Sequence, residues 1–246
     1  MRWGPGQPRT TPSCSSIAPA RSRWRAPSRV GANTYSGTTT ITAGTLSIGT
    51  GGTAGTLGSG AVANGATLRF NRSDALTVAN DISGSGAVVQ SGAGTTTLTG
   101  ANTYGGTTTI SAGVLQVGGG GTAGTLGAGA VINNAALTID RSDALTVSNE
   151  ISGTGTLTKL GAGLTTLTGA NSYSGATTIS GGILRVGDGD TSGTLGTGAV
   201  TNNAAMGFNR SNTITVSNVI SGSGMVSQIG TGTTILTAAN TYSGTT

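Results

Sequence analysis

Arg72, Arg141 and Arg210 stand 69 residues apart, inside Asn71-Arg72-Ser73-Asp74, Asp140-Arg141-Ser142-Asp143 and Asn209-Arg210-Ser211-Asn212. Stacked in one column, three guanidiniums would make a ladder for an anionic sugar polymer. The same residue types are explained by a polar corner, where short side chains cap backbone groups and Arg covers an apolar edge. The corner is the preferred reading, with three coils, about 14 Å, expected between successive Arg residues. Gly187-Asp188-Gly189-Asp190 would suit calcium only if neighbouring turns also carried acids, since a hard cation needs about 6 to 8 oxygen ligands. The matching segments, Gly49 to Gly52 and Gly118 to Gly121, contain none, so this turn reads as a solvated loop.

Tyr35, Tyr104, Tyr173 and Tyr242, again 69 residues apart, could stack on sugars. An isolated Tyr more commonly packs over a corner with its hydroxyl reaching solvent or backbone. The triplets Thr38 to Thr40 and Thr107 to Thr109 resemble the flat threonine arrays of ice-binding β-helices. Such an array needs Thr on every coil at one register, and these triplets recur once per unit, so strand formation is the simpler account. Gly118 to Gly121 lacks the Lys-Ser or Lys-Thr and the helix of a phosphate cradle. Cys14 has no partner, and Arg21, Arg23, Trp24, Arg25 and Arg29 lie in a head with five Pro in its thirty residues, a composition of disorder rather than of a polymer grip.

Charge confirms that division. Residues 1–30 hold six Arg and no acid, while the other 216 hold six basic and seven acidic groups, so the net +5 is +6 in the head and −1 in the body. The body therefore gives no electrostatic reason to bind nucleic acid. No His is present, which removes imidazole bases, imidazole metal ligands and the usual nucleophile relays. A lone Cys makes neither an internal disulfide nor a cysteine zinc site. The acids Asp74, Asp81, Asp140, Asp143, Glu150, Asp188 and Asp190 are dispersed, which leaves no evident pair for acid-base work. No catalytic, cofactor-binding or metal-binding residue and no cofactor is expected.

With 46 Gly, long helices are improbable, and the positions that must hold any site belong to strands. Ala-Asn-Thr-Tyr-Ser-Gly at Ala32 returns with single changes at Ala101 and Ala170 and intact at Ala239. Units 32–100, 101–169 and 170–238 align without a gap, a partial unit follows at 239–246, and the whole array is taken as 31–246. Leu46, Leu115 and Leu184, with Ile48, Val117 and Val186, stay apolar while Ser47, Gln116 and Arg185 drift between them. That alternation marks strands with one buried face. Apolar strand centres at Leu46, Leu68, Val88 and Leu115 give steps of 22, 20 and 27, read as three coils per unit. The expected fold is all-β, a right-handed parallel β-helix of about ten coils and roughly 45 to 50 Å, its handedness taken from such folds in general. The competing fold is a closed sandwich or antiparallel barrel, disfavoured because only Asn64-Gly65 offers a tight hairpin turn.

The stretch Gly94 to Gly118, with its Asn102-Thr103-Tyr104-Gly105-Gly106 core between two Thr/Ile/Leu strands, resembles the autotransporter-associated β-strand repeat. Equivalent stretches begin at Gly163 and Gly232, and Gly31 to Gly49 supplies the motif without its first strand, so the resemblance covers 31–246. It implies a passenger region of a bacterial type V secretion protein, a pectin-lyase-like β-helix that helps the passenger reach the cell surface. A non-catalytic stalk is the expected role, with other passenger segments and a translocator barrel as partners and the outer-membrane surface or exterior as location. A surface adhesin for glycans or host surface is the alternative, and a polysaccharide lyase or hydrolase on the same fold a lesser one. The head lacks a signal-peptide apolar core, no barrel sequence follows, and the chain stops within a unit, so a fragment is expected. Open strand edges at its ends would favour end-to-end self-association.

Overall fold

The computed structural model describes residues 33–246. The basic head 1–30, with Cys14, Trp24 and its Arg residues, lies outside them, as does Ala32. Twenty-four strands of two to four residues follow one another, with no helix among the described residues. Every strand pair is parallel, which disposes of the antiparallel barrel.

The strands form for the reason the alternation gives. In Thr67–Phe70 the side chains of Leu68 and Phe70 are fully buried while Arg69 between them is exposed. Val, Ile, Leu and Thr fill such positions throughout, residues that suit a pleated and half-buried surface. Gly closes the corners where φ is positive, as at Gly84, Gly153 and Gly222, all near +100°.

The coil winds through three sides. On the second side pairing climbs from Leu46 to Leu68, Val88, Thr108, Val131 and Ile151. On the third it climbs from Leu76 to Thr96, Leu115, Leu137, Leu157, Thr177, Val200 and Ile220. The first side holds Thr39, Val62 and Ile82, then after a break Leu145, Thr165, Leu184, Met206 and Val226. The break is bridged without strands: Thr103 N–H donates to Ile82 O, Asn102 Nδ2 to Thr125 O and Asn149 Nδ2 to Gly127 O. The second side breaks in the same way at Asn171 and resumes at Ile214–Val216.

One 69-residue unit is therefore three and a third coils. Three pairing steps carry Leu46 to Thr108, and Leu115, the repeat equivalent of Leu46, comes seven residues later on the next side. Three units make ten coils, and at ~4.8 Å per coil the stack is about 48 Å long. The expected steps of 22 and 20 hold, but the step of 27 does not. Val88 pairs with Thr108, while Leu115 pairs with Thr96 and Leu137. The physical reason is that Thr96 and Thr108 point inward and are buried, so a count of apolar strand centres passes over them.

Candidate functional site

The recurrent polar residues are bound into the stack. Arg72 lies between Thr67–Phe70 on the second side and Leu76–Val78 on the third, Arg141 between the third and first sides, and Arg210 between the first and second. They occupy three different corners, so no guanidinium ladder exists and the expected 14 Å column is corrected. The third of a coil in each unit turns every repeated position to the next side. Arg72 Nε and Nη2 donate to Asp74 Oδ1 and Oδ2 at 2.9 and 2.8 Å, and Nη1 donates to Gly55 O at 2.6 Å. Arg141 makes the same fork to Asp143 and reaches Gly124 O at 2.5 Å. Arg210 substitutes Asn212 Oδ1 and the carbonyls of Gly193 and Thr191. The hydrogen bonds and charge of the neighbouring guanidinium hold Asp74 and Asp143 below the usual carboxylate range.

The tyrosines correct a second expectation. Tyr104 and Tyr173 are fully buried rather than spread over a corner, and each hydroxyl meets a Thr hydroxyl four residues on, at 2.7 and 2.8 Å, rather than solvent. Burial raises both phenol pKa values. Gly127 and Gly196 roof these rings from the next coil: a Cβ on either would lie within 2.3 Å of the Tyr carbonyl and 2.6 Å of its ring. Sugar stacking on these two rings is thereby excluded. Tyr35, in the first described coil, is 43% exposed and keeps the same bond to Thr39.

The Asn two residues before each buried Tyr clasps three coils. Asn102 Oδ1 accepts Ile82 N–H from the coil before at 3.0 Å, Nδ2 donates to Thr125 O in the coil after at 2.8 Å, and its own N–H donates to Thr125 Oγ1 at 2.7 Å. Asn171 joins Ile151 to Thr194 O in the same manner. Asn64, Asn133 and Asn202, completely buried, donate to carbonyls 23 residues on. Sequence reasoning placed Asn only at corners and missed this interior role. The available signal was a polar residue unchanged in all three units among drifting neighbours.

Lys159 is the exception inside. It occupies the place where Gln90 receives Thr96 Oγ1 on its Oε1 at 2.7 Å and donates to Gly92 O and Gly94 O. Lys159 Nζ reaches Gly161 O, and Gly181 O at 3.3 Å, but cannot accept, and Thr165 Oγ1 is left without a partner. Burial pushes the Lys159 ammonium below the ordinary lysine value, with Asp140 pulling partly the other way. In the acidic turn, Asp190 Oδ1 accepts both Ser192 Oγ–H and Ser192 N–H at 2.6 Å, which lowers its pKa. No group of three or more His, Cys, Asp or Glu among the described residues is placed to hold a metal ion.

Coils that spend their repeated polar groups on one another define a parallel β-solenoid whose conserved-by-repeat chemistry is stacking. Residues 30–48, 88–117, 157–186 and 226–246 match the model of the family described as passenger-associated-transport-repeat. The chain carries autotransporter passenger repeats, and the matched segments 88–117 and 157–186 hold the Asn-Tyr clasps just described. It is similar to the adhesin BmaC autotransporter of Brucella suis biovar 1 (strain 1330), 36% identical over 149 residues, which is 52% of this chain and 4% of that protein. The chain thus spans a small fraction of the relative it matches. No solved structure matches.

Proposed function

We propose that the chain is a non-catalytic stalk segment of an autotransporter passenger, which supports movement to the cell surface and holds other passenger regions away from it. The observation that carries this is the clasp: the side-chain amides of Asn102 and Asn171 are spent on the coils before and after them. A coil that forms outside the membrane buries its inward side chains against its predecessor and resists withdrawal, so stacking biases the direction of travel. Its partners are other passenger segments and a translocator barrel, and its location is the cell surface or exterior. The test places one, two or three units between a reporter and a translocator barrel. Surface display should rise with unit number and fall when Gly127→Ala or Gly196→Ala drives a Cβ into the Tyr104 or Tyr173 ring and separates the coils. Equal display from stacking-defective units would overturn the proposal.

The relative's printed name, adhesin, favours a second reading, in which drifting outward positions bind glycans or host surface. Retention on a glycan array would support it. The lyase or hydrolase reading has only dispersed carboxylates behind it, and release of unsaturated or reducing ends from polygalacturonate would revive it. Expressed by itself, this chain is proposed to associate end to end, because Gln228 and Ile235 in the last coils are exposed where Gln90 and Thr166 are buried. A monomer on size exclusion at high concentration would refute that.

A further inference from the structure

The third side carries an uninterrupted neutral row that the unit period conceals. The outward centres of its eight consecutive strands are Thr77, Thr97, Thr138, Thr158, Thr178 and Thr201, with Gln116 after Thr97 and Ser221 at the end, each paired in register with the next. Thr on successive coils at one register, which the 69-residue spacing of the triplets does not give, is approached here because a unit is not a whole number of coils: Thr holds six of the eight positions, in runs of two and four, with Gln116 between the runs and Ser221 after them.

The drift between units is sorted by side. Thr138 on the third side corresponds to Arg69 on the second and Gly207 on the first; Thr158 corresponds to Val89 and Ser227; Thr201 corresponds to Ile132 on the second side and Ala63 on the first. The second side is broken by Arg69 and the first by Arg185, while the third-side row has no formal charge. Asp140 stands beside the row and receives Gln116 Nε2 at 3.3 Å, and Lys159 points inward. Gln116 and Ser221 spend their donors on carbonyls, at 2.9 and 3.3 Å, whereas the six Thr hydroxyls are left to whatever faces the sheet.

We propose that this side is a binding face for the ordered water of an ice surface. The row repeats at ~4.8 Å along the rod over seven steps, about 34 Å, and the next outward positions, Thr95, Val114, Ala136 and Thr156, lie roughly 6.6 Å along each strand. Each Thr offers a hydroxyl to hydrogen-bond water and a methyl to confine it, on a backbone that the interior clasps hold fixed before contact, so little ordering remains to be done on binding. A sugar polymer would want an aromatic platform, and the row has none. A protein partner would want Trp, Tyr or Arg anchors, and the row has none of these either. The inference goes beyond the stalk reading, which survives if it fails.

The test measures thermal hysteresis and partition into slowly growing ice for the full chain, and for Thr138→Arg/Thr158→Val, which places on the third side the residues found at Arg69 and Val89. Arg69→Thr on the second side is the control. The expected result is hysteresis and ice partition for the full chain and the control, and loss to the level of an albumin blank for the double variant with an unchanged circular dichroism spectrum. Should the double variant not fold, Thr138→Arg alone, which copies Arg69, takes its place. No hysteresis in the full chain, or equal hysteresis in all folded variants, overturns the proposal. Retention on crystalline cellulose or chitin without ice partition also overturns it, in favour of a polysaccharide.

Discussion

At the scale of the residue, Lys159 is the place where one side chain sets stability against its neighbours. Replacing it by Gln, as at Gln90, removes a buried ammonium and gives Thr165 Oγ1 the acceptor that Thr96 has. Lys159→Gln should stabilise the protein by about 1 to 3 kcal/mol, read from thermal or urea unfolding. The pH dependence has a defined sign. Burial lowers the folded-state pKa, so between that value and the ordinary 10.5 the unfolded chain holds the proton more fully, and stability contributed at this site rises with pH across the window. The Gln variant should lose that slope, and an unchanged slope would place the cause elsewhere. Sequence could not mark Lys159 as buried, because a Lys in a drifting position is ordinarily solvated.

At the scale of the element, the alternation in strands such as Thr45–Ile48 and Val114–Val117 was legible because period two depends only on neighbouring residues. The corner Arg residues were legible by type for the same reason. Coil length was not, since inward Thr96, Thr108, Thr165 and Thr177 read as polar in a linear count although all are at most 2% exposed. The Asn clasp escaped for a related reason: its partners lie 20 and 23 residues away in opposite directions, beyond any local pattern. Asn102→Ala leaves Ile82 N–H and Thr125 O without their partner and should cost about 2 to 4 kcal/mol. Hydrogen exchange should show the loss concentrated in the coils that contain Ile82, Asn102 and Thr125, because each coil depends on its nearest neighbours. Loss spread evenly over all ten coils would contradict that dependence.

At the scale of the whole molecule, a repeat of three and a third coils does what an integral repeat would not. Asn-Tyr clasps, which interrupt the strand ladder, visit the three sides in turn, so no side is left without strands along the whole rod. Repeated corner residues such as Arg72 and Arg141 are likewise spread around the axis, while residues from different places in the unit line up on one side. The three sides can therefore diverge in surface chemistry while sharing one interior. Pulsed electron paramagnetic resonance with spin labels at Thr77 and, in turn, Thr138, Thr201 and Ser221 tests this arrangement most directly. The pairing places these partners three, six and seven coils away on one side, so distances should climb in proportion, at about 14, 29 and 34 Å. Distances that fail to grow with coil number, or that put Thr146, the unit equivalent of Thr77, on the same line as these positions, would contradict the stacked coil and the fractional repeat together.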